Sequence, residues 1–352
     1  MRIAVFLVVL LALAGGFGWR ALHGFNHFAT VERAFGGRCA PVSGIVGPED
    51  IKIDAGARRA FISSADRRAP GARGAIYVFD LANPLAESGW RDRTMGAPAA
   101  FRPMGIDYYE GEGVRRLFVV NEANASVELF DVRADGDLEH LETFSERRLT
   151  SPNNVAAVGP RAFYVTNDVA PGRDSVAGKA HFLARAGSGQ ILFHNGVAWR
   201  MAAEGLRFAN GVDVSPDGER LYAAETSGMA VRVYRRDIAT GALSPMREIP
   251  LSAAPDNLNA DEAGDVWVGA LPKPLDVLRL GDDRQALAAS EVIRLRAGGF
   301  MESVYRDPGE ELSASTVGAR LGDTLLIGAL YDRKFLICDL PRLSPEVSDA
   351  AL

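Results

Sequence analysis

At 352 residues, with 47% hydrophobic and 24% charged, the chain has an ordinary globular composition and is long enough to bury a sizeable core. Its net charge of −6 and the lack of any basic stripe exclude a nucleic-acid groove and are compatible with a cation-binding protein.

Residues Met1–Trp19 open with one cationic residue and an apolar run of secretory or anchor type. Ala12-Leu13-Ala14 suits a cleavage site, whereas continuation through Phe17 and Trp19 suits an uncleaved anchor; both place the rest of the chain outside the cytoplasm, the anchor with the membrane as partner. Ala21–Phe35 reads as a loosely amphipathic connecting helix carrying His23 and His27.

From Pro48 the same grammar recurs six times: a polar loop, a short apolar strand, a turn, a second strand. The copies are PEDIKIDAGARRAFISSAD from Pro48, PMGIDYYEGEGVRRLFVVNE from Pro103 and SPNNVAAVGPRAFYVTND from Ser151. FANGVDVSPDGERLYAAET follows from Phe208, PDNLNADEAGDVWVGAL from Pro255 and SASTVGARLGDTLLIGALY from Ser313. Their second strands align on Phe61, Phe118, Phe163, Tyr222, Trp267 and Leu326, at spacings of 57, 45, 59, 45 and 59 residues. A third strand is expected after each hairpin, beginning at Gly74, Ser126, Gly189, Ala230, Leu275 and Lys334. Blades of this period, repeated radially, make an all-β, six-bladed β-propeller. The expected organisation is a leader or anchor over 1–19, a connecting helix over 20–38, the propeller over 39–345 and a tail over 346–352.

The two cysteines, Cys39 before the first repeat and Cys338 in the last strand, suggest a disulfide clipping the first and last blades in an exported chain.

In a propeller the first strand of each blade lines the channel, so the loops that open the repeats converge at one end. They carry Glu49-Asp50, Met104-Gly105-Ile106, Asn153-Asn154, Asn210-Gly211, Asp256-Asn257 and Ser315-Thr316. Carboxylate and amide oxygens, with no Cys or His among them, suit calcium rather than zinc or copper. Glu49, Asn153, Asn210, Asp256 and Asn257 form the candidate set. Any one Asn taken singly reads better as a turn or cap residue; acid or amide at one register in four of six repeats favours the metal.

These segments resemble the paraoxonase/arylesterase family of six-bladed calcium propellers, related more distantly to gluconolactonases and strictosidine synthases. The likeness is carried by GPEDIKI with AFISS, VVNEANASVELFDV, NNVAAVGPRAFYVTND, FANGVDVSPDGERLYAAE, DNLNADEAGDVWVG and STVGARLGDTLLIG, from about Cys39 to Leu340. The resemblance implies an uncleaved N-terminal segment and a disulfide between the chain ends. It places Glu49, Asn153, Asn210, Asp256 and Asn257 on a catalytic calcium, and Asp50, the Ile106 carbonyl and Asn154 on a second, structural calcium. Asn154 stands where the family has Asp, which weakens that second site.

The family's histidine dyad falls on Met104 and Glu122, and a further active-site histidine on Leu271, so a histidine-activated water does not carry over. The expected chemistry is hydrolysis of a small ester or lactone, its carbonyl polarised by calcium, with Glu122 or Asp256 as base. Asp168 and Glu225 share the hairpin-end register of Glu122 as weaker candidates, and Phe208 and Met104 are expected to wall the substrate. The other reading is a non-catalytic, membrane-anchored propeller in which calcium stiffens a binding face.

Overall fold

The computed structural model describes residues 15, 16, 18–84 and 90–341. Among the described residues twenty-four strands form six four-stranded antiparallel sheets around one axis. The first five blades run in chain order: β2–β5 (Pro48–Asp92), β6–β9 (Pro103–Ser145), β10–β13 (Pro152–Leu206), β14–β17 (Ala209–Pro250) and β18–β21 (Ala254–Asp307). The sixth combines β22 (Ser315–Leu321), β23 (Thr324–Ala329) and β24 (Lys334–Asp339) with β1 (Arg38–Ser43) from the other end of the chain.

Cys39 and Cys338 lie opposite one another in the β1–β24 register and are bonded, so the disulfide fastens the strand that closes the ring. Burial follows position within a blade. Every residue of β3 (Arg59–Ser64) and β19 (Val266–Leu271), second strands of their blades, is buried, whereas outer β17 (Leu243–Pro250) is almost wholly exposed. Apolar side chains meet between neighbouring blades: Phe61 and Ile76 of the first blade pack with Ile106 and Val119 of the second. Tyr222 and Val233 of the fourth likewise pack with Leu258 and Val268 of the fifth. This is the radial burial a propeller needs, since one blade cannot cover its own faces.

Five of the six expected third strands form where the sequence places them. The exception is Leu275: Pro274–Asp276 is a 3₁₀ turn and Val277–Leu280 a short helix, and the third strand of that blade is β20 (Ser290–Leu295). Proline at the first helical position pre-sets the turn, and Leu280 drops its side chain into an apolar cluster with Leu271 and Ala314.

The connecting segment also differs from expectation. Helix ends at Gly24, and residues 29–33 have no regular structure before the bridge from Ala34 to Arg306. Most of the apolar run Met1–Trp19 and all of the tail 346–352 lie outside the described residues; among those described, no helix is long and apolar enough to cross a membrane. Phe25, fully buried, stacks on Phe182 of the helix Val176–Ala184, pinning the N-terminal segment to the loop Ala170–Ser188.

Candidate functional site

A register shift interrupts the pairing of first and second strands at the opening of every blade: Pro48/Asp50, Pro103/Ile106, Pro152/Val155, Ala209/Val212, Pro255/Leu258 and Ser315/Val317. An extra residue at such a bulge re-aims side chains that a regular strand would send to opposite faces. The bulges fall on the polar motif residues, so adjacent positions such as Glu49 and Asp50, or Asp256 and Asn257, both serve the channel. Backbones crowd here. A Cβ on Gly105 would lie 2.5 Å from the Asn154 Cα, and one on Gly211 would lie 2.4 Å from the Asp256 carbonyl oxygen, so both positions require glycine. Two residues before the bulge, Gly47, Phe208 and Ala314 adopt positive φ of 55°, 62° and 57°, a left-handed entry that L residues rarely accept.

Hydrogen bonds fix which oxygens remain free. Thr226 donates its hydroxyl to the Pro255 carbonyl (2.7 Å) and accepts from Asn210 Nδ2 (3.0 Å), which leaves Asn210 Oδ1 buried without a partner. Asn257 Nδ2 donates to the Glu49 carbonyl (3.0 Å) and to Glu49 Oε1 (3.1 Å), leaving Glu49 Oε2 equally orphaned. Asn153 Oδ1 and Asp168 Oδ1 are the remaining buried, unpartnered side-chain oxygens at this register, apart from the Thr316 hydroxyl. Burial pushes the carboxyls of Glu49 and Asp256 up; the charge of Glu49 adds to the effect at Asp256, and that of Glu122 adds to it at Glu49.

A divalent cation would answer both the orphaned acceptors and the excess negative charge, and oxygen donors alone suit calcium. Among the described residues no three His, Cys, Asp or Glu side chains cluster as metal ligands. This donor set is instead mixed, with amide oxygens beside carboxylates, and it fits the ion.

The second expected set does not fit an ion in the same way. Asp50 Oδ1 accepts from the Ile51 N–H (2.9 Å), and Oδ2 accepts from the Ile106 N–H (2.8 Å) and Asn154 Nδ2 (3.2 Å). The Asn154 amide is oriented by its own neighbour: Oδ1 accepts from the Val155 N–H (2.7 Å), so Nδ2 turns to Asp50 and to Asn257 Oδ1 (2.7 Å). Amide protons stand where a cation would need oxygen. Burial and the charge of Glu49 lift Asp50 to about 8.

Around this set lie groups the repeats do not announce. Arg173, from the loop after β11 (Ala162–Asn167), reaches Asp168 with Nε (2.7 Å) and Glu122 with Nη1 (3.7 Å), while Arg102 Nε lies 3.4 Å from Glu122. Burial works against the Glu122 charge, but Arg173, Arg67 and Arg102 outweigh it and hold this carboxyl below its ordinary value. Asp168 is fully buried beside Ser151 and Asn153; burial lifts it to about 6 against the pull of Arg173. Glu225 is committed elsewhere, paired with Arg207 and Arg232 at 2.8 Å each.

Met104 is buried, with its sulfur 2.9 Å from Arg67 Nη2 and 4.0 Å from Arg173 Nη1. Phe208 packs edge-on against Phe182. Leu271 lies in the apolar cluster beside Leu280 and Ala314. The histidines with side-chain partners are engaged outside this set: His140 with Glu128 (2.9 Å), His181 with Ser188 (2.8 Å) and His194 with the Arg161 carbonyl (3.1 Å).

At the other end of the first strands the channel widens into a cavity of about 620 Å³ lined by Lys52, Asp107, Asp213, Arg236 and Arg320. Most of its charges pair with one another: Lys52 Nζ lies 2.8 Å from Asp213 and 3.4 Å from Asp107, and Arg320 Nη1 lies 3.0 Å from Asp261, whereas Arg236 donates to the Tyr164 hydroxyl and the Gly218 carbonyl. The free acceptors are at the bulged end.

The family described as Arylesterase matches residues 49–340. Human serum paraoxonase/arylesterase 1 is 32% identical over 321 residues, covering 86% of this chain and 88% of that one. Serum paraoxonase/arylesterase 2 of Gallus gallus is 31% identical with the same coverage of each. A gluconolactonase from Xanthomonas campestris superposes with a TM-score of 0.58 at 18% identity, over 88% of this chain and 91% of that one, a likeness of fold. The match spans all six bulged loops and the strands that present them, and on that basis this chain belongs to the arylesterase family.

Proposed function

We propose that the chain is a calcium-dependent hydrolase of small esters or lactones, with its site at the bulged end of the channel. Family membership supports the reaction class. The observation that carries the metal is the group of buried, unpartnered oxygens Glu49 Oε2, Asn153 Oδ1 and Asn210 Oδ1. With Asp256 they would hold the ion, and Asn257 braces Glu49 from the side. A calcium ion bound there supplies polarisation of the scissile carbonyl and stabilisation of the developing oxyanion.

The chain's own groups then handle the water. Hydrolysis forms a bond from the water oxygen to the acyl carbon and breaks the acyl–oxygen bond; the water's proton passes to a carboxylate and on to the leaving oxygen. Asp168 keeps a free buried oxygen without standing among the proposed ligands, its other oxygen anchored by Arg173 and Ser151. Glu122 is a second reading for the base, favoured by the three guanidiniums that keep it ionised. Its contacts to Arg102 and Arg173 suit it better to holding Arg173 against Asp168. The bonded Cys39–Cys338 pair supports an oxidising, extracytoplasmic location.

The test is turnover of phenyl acetate and a panel of lactones, alongside thermal melting, each with calcium and after exhaustive chelation. Turnover lost on chelation and restored by calcium, with a lower melting temperature for the stripped protein, is the expected result, because ligands on separate blades converge only in the folded state. An unchanged melting temperature removes the metal. No turnover of any ester or lactone by calcium-loaded protein leaves a propeller that binds without catalysing.

A further inference from the structure

Arg67 stands beside the candidate site with its charge unmatched. It lies in the loop that follows β3 (Arg59–Ser64), and its guanidinium touches only neutral acceptors. These are the Ala65 carbonyl at 3.3 Å from Nη1, and the Pro103 carbonyl and Met104 sulfur at 3.5 and 2.9 Å from Nη2. Among the described residues no carboxylate lies within ion-pair distance of it, whereas Arg102 and Arg173 each have one. Carbonyls and a thioether fix a guanidinium in place without pairing with its charge, so its remaining N–H groups are available to an incoming anion. That charge reaches the metal set, for Arg67 is the foremost cation acting on Glu49.

Arg173 brings a second guanidinium to the same Met104 sulfur. The local charges are the carboxylates of Glu49, Glu122, Asp168 and Asp256 against Arg67, Arg102 and Arg173. With Asp50 beside them, carboxylates outnumber guanidiniums here, and a bound divalent cation offsets that excess. Anion recognition here depends on the metal, in a protein whose net charge of −6 would otherwise repel anions.

Resting on the hydrolase reading above, we propose that Arg67, seconded by Arg173, selects esters or lactones that carry a carboxylate. The carboxylate lies against the two guanidiniums over Met104, and the scissile carbonyl lies toward Glu49, Asn153 and Asn210. A planar guanidinium matches a carboxylate with two parallel hydrogen bonds, which an uncharged amide of the same shape cannot reproduce.

The experiment compares kcat/KM for 4-acetoxybenzoate with that for its neutral counterpart 4-acetoxybenzamide, on calcium-loaded protein, for wild type, Arg67→Gln and Arg67→Lys. Wild type is expected to favour the carboxylate by roughly tenfold or more, chiefly through KM, with the preference shrinking as salt is raised. Arg67→Gln should cut the ratio of the two constants about tenfold, and Arg67→Lys, which keeps charge but loses the fork, should fall between. If Arg67→Gln fails to fold, the Arg67→Lys ratio and the salt dependence decide. Equal constants for the two esters in wild type, or an Arg67→Gln ratio matching wild type, overturns the proposal while leaving the hydrolase reading intact. Turnover of neither ester, nor of any lactone, overturns both.

Discussion

Two carboxylates 46 residues apart, Glu122 and Asp168, share one arginine, and the way they share it separates their roles. Arg173 spans them, 2.7 Å from Asp168 and 3.7 Å from Glu122, but only Asp168 keeps a buried oxygen without a partner. Asp168→Asn preserves shape and hydrogen bonding while removing the ability to take a proton. Turnover of phenyl acetate by that variant is expected to fall by roughly 10²–10⁴-fold with calcium affinity nearly intact. Glu122→Gln loosens Arg173 rather than removing the base and should cost less, on the order of 10-fold. Steady-state kinetics with a parallel calcium titration checks both; if Glu122→Gln is the more damaging, Glu122 is the base. Asp256→Asn differs from either, because it removes a charged ligand and should weaken calcium binding together with turnover. At this scale the sequence showed acid or amide at one register, and with it most of the residues proposed to hold the metal. It did not show Arg67 or Arg173, which sit in loops after the second strands where the repeats share no pattern.

Within a blade, the hairpins are held by packing and by a few saturated polar groups, of which Glu128 in β8 (Ser126–Val132) is the clearest. Fully buried, it accepts from Ser126 (2.7 Å), Thr143 (2.5 Å), His140 (2.9 Å) and Asn121 (3.1 Å), joining three strands of the second blade. Burial disfavours its charge, but the hydroxyl, imidazole and amide donors outweigh that and hold its carboxyl below the ordinary value. A carboxyl lowered on folding contributes stability that is present above its unfolded value and is lost as pH falls through the folded one. Glu128→Gln is therefore expected to lower stability at pH 7 by about 1–3 kcal/mol and to flatten the decline of melting temperature on the acid side, below about pH 4. A variant whose melting curve tracks wild type from pH 3 to 7 would dismiss the idea. Blades were legible from their apolar alternation, and so were five third strands. The bulges were not, since the sequence marks where a strand begins but not where its pairing slips. Outer strands such as β17, exposed and interrupted by Pro245, give no alternation to read. Leu275–Leu280 is apolar enough for a strand, and Pro274 with burial of Leu280 tips it to a helix.

The whole ring is closed in three ways, and each joins different parts of the chain. Apolar seams join neighbouring blades, β1 and the disulfide join the two ends, and a polar layer below the metal set spans the channel. At the centre of that layer is the Lys52 ammonium, from the first blade. It donates to Asp213 of the fourth blade (2.8 Å) and to the Leu258 carbonyl of the fifth (3.4 Å), and it pairs with Asp107 of the second (3.4 Å). Asp107 also accepts from the Ala157 N–H of the third blade (2.7 Å), and Asn259 of the fifth donates to Ile51 of the first (3.2 Å) and Gly318 of the sixth (3.0 Å). All six blades meet in this layer. Burial works against the Lys52 charge, but Asp107 and Asp213 outweigh it and raise the ammonium above its ordinary value, so it stays charged. Lys52→Met keeps the chain length and deletes the charge, stranding two buried carboxylates; breaking a buried pair from one side costs roughly 3–5 kcal/mol. The expected result in denaturant unfolding of calcium-loaded protein is a lower midpoint with a similar slope. Adding Asp107→Leu and Asp213→Leu to Lys52→Met should recover part of the loss, because no unpaired charge then remains buried. A Lys52→Met midpoint equal to wild type would mean that the layer contributes nothing to ring closure and that the seams and the β1 strand suffice.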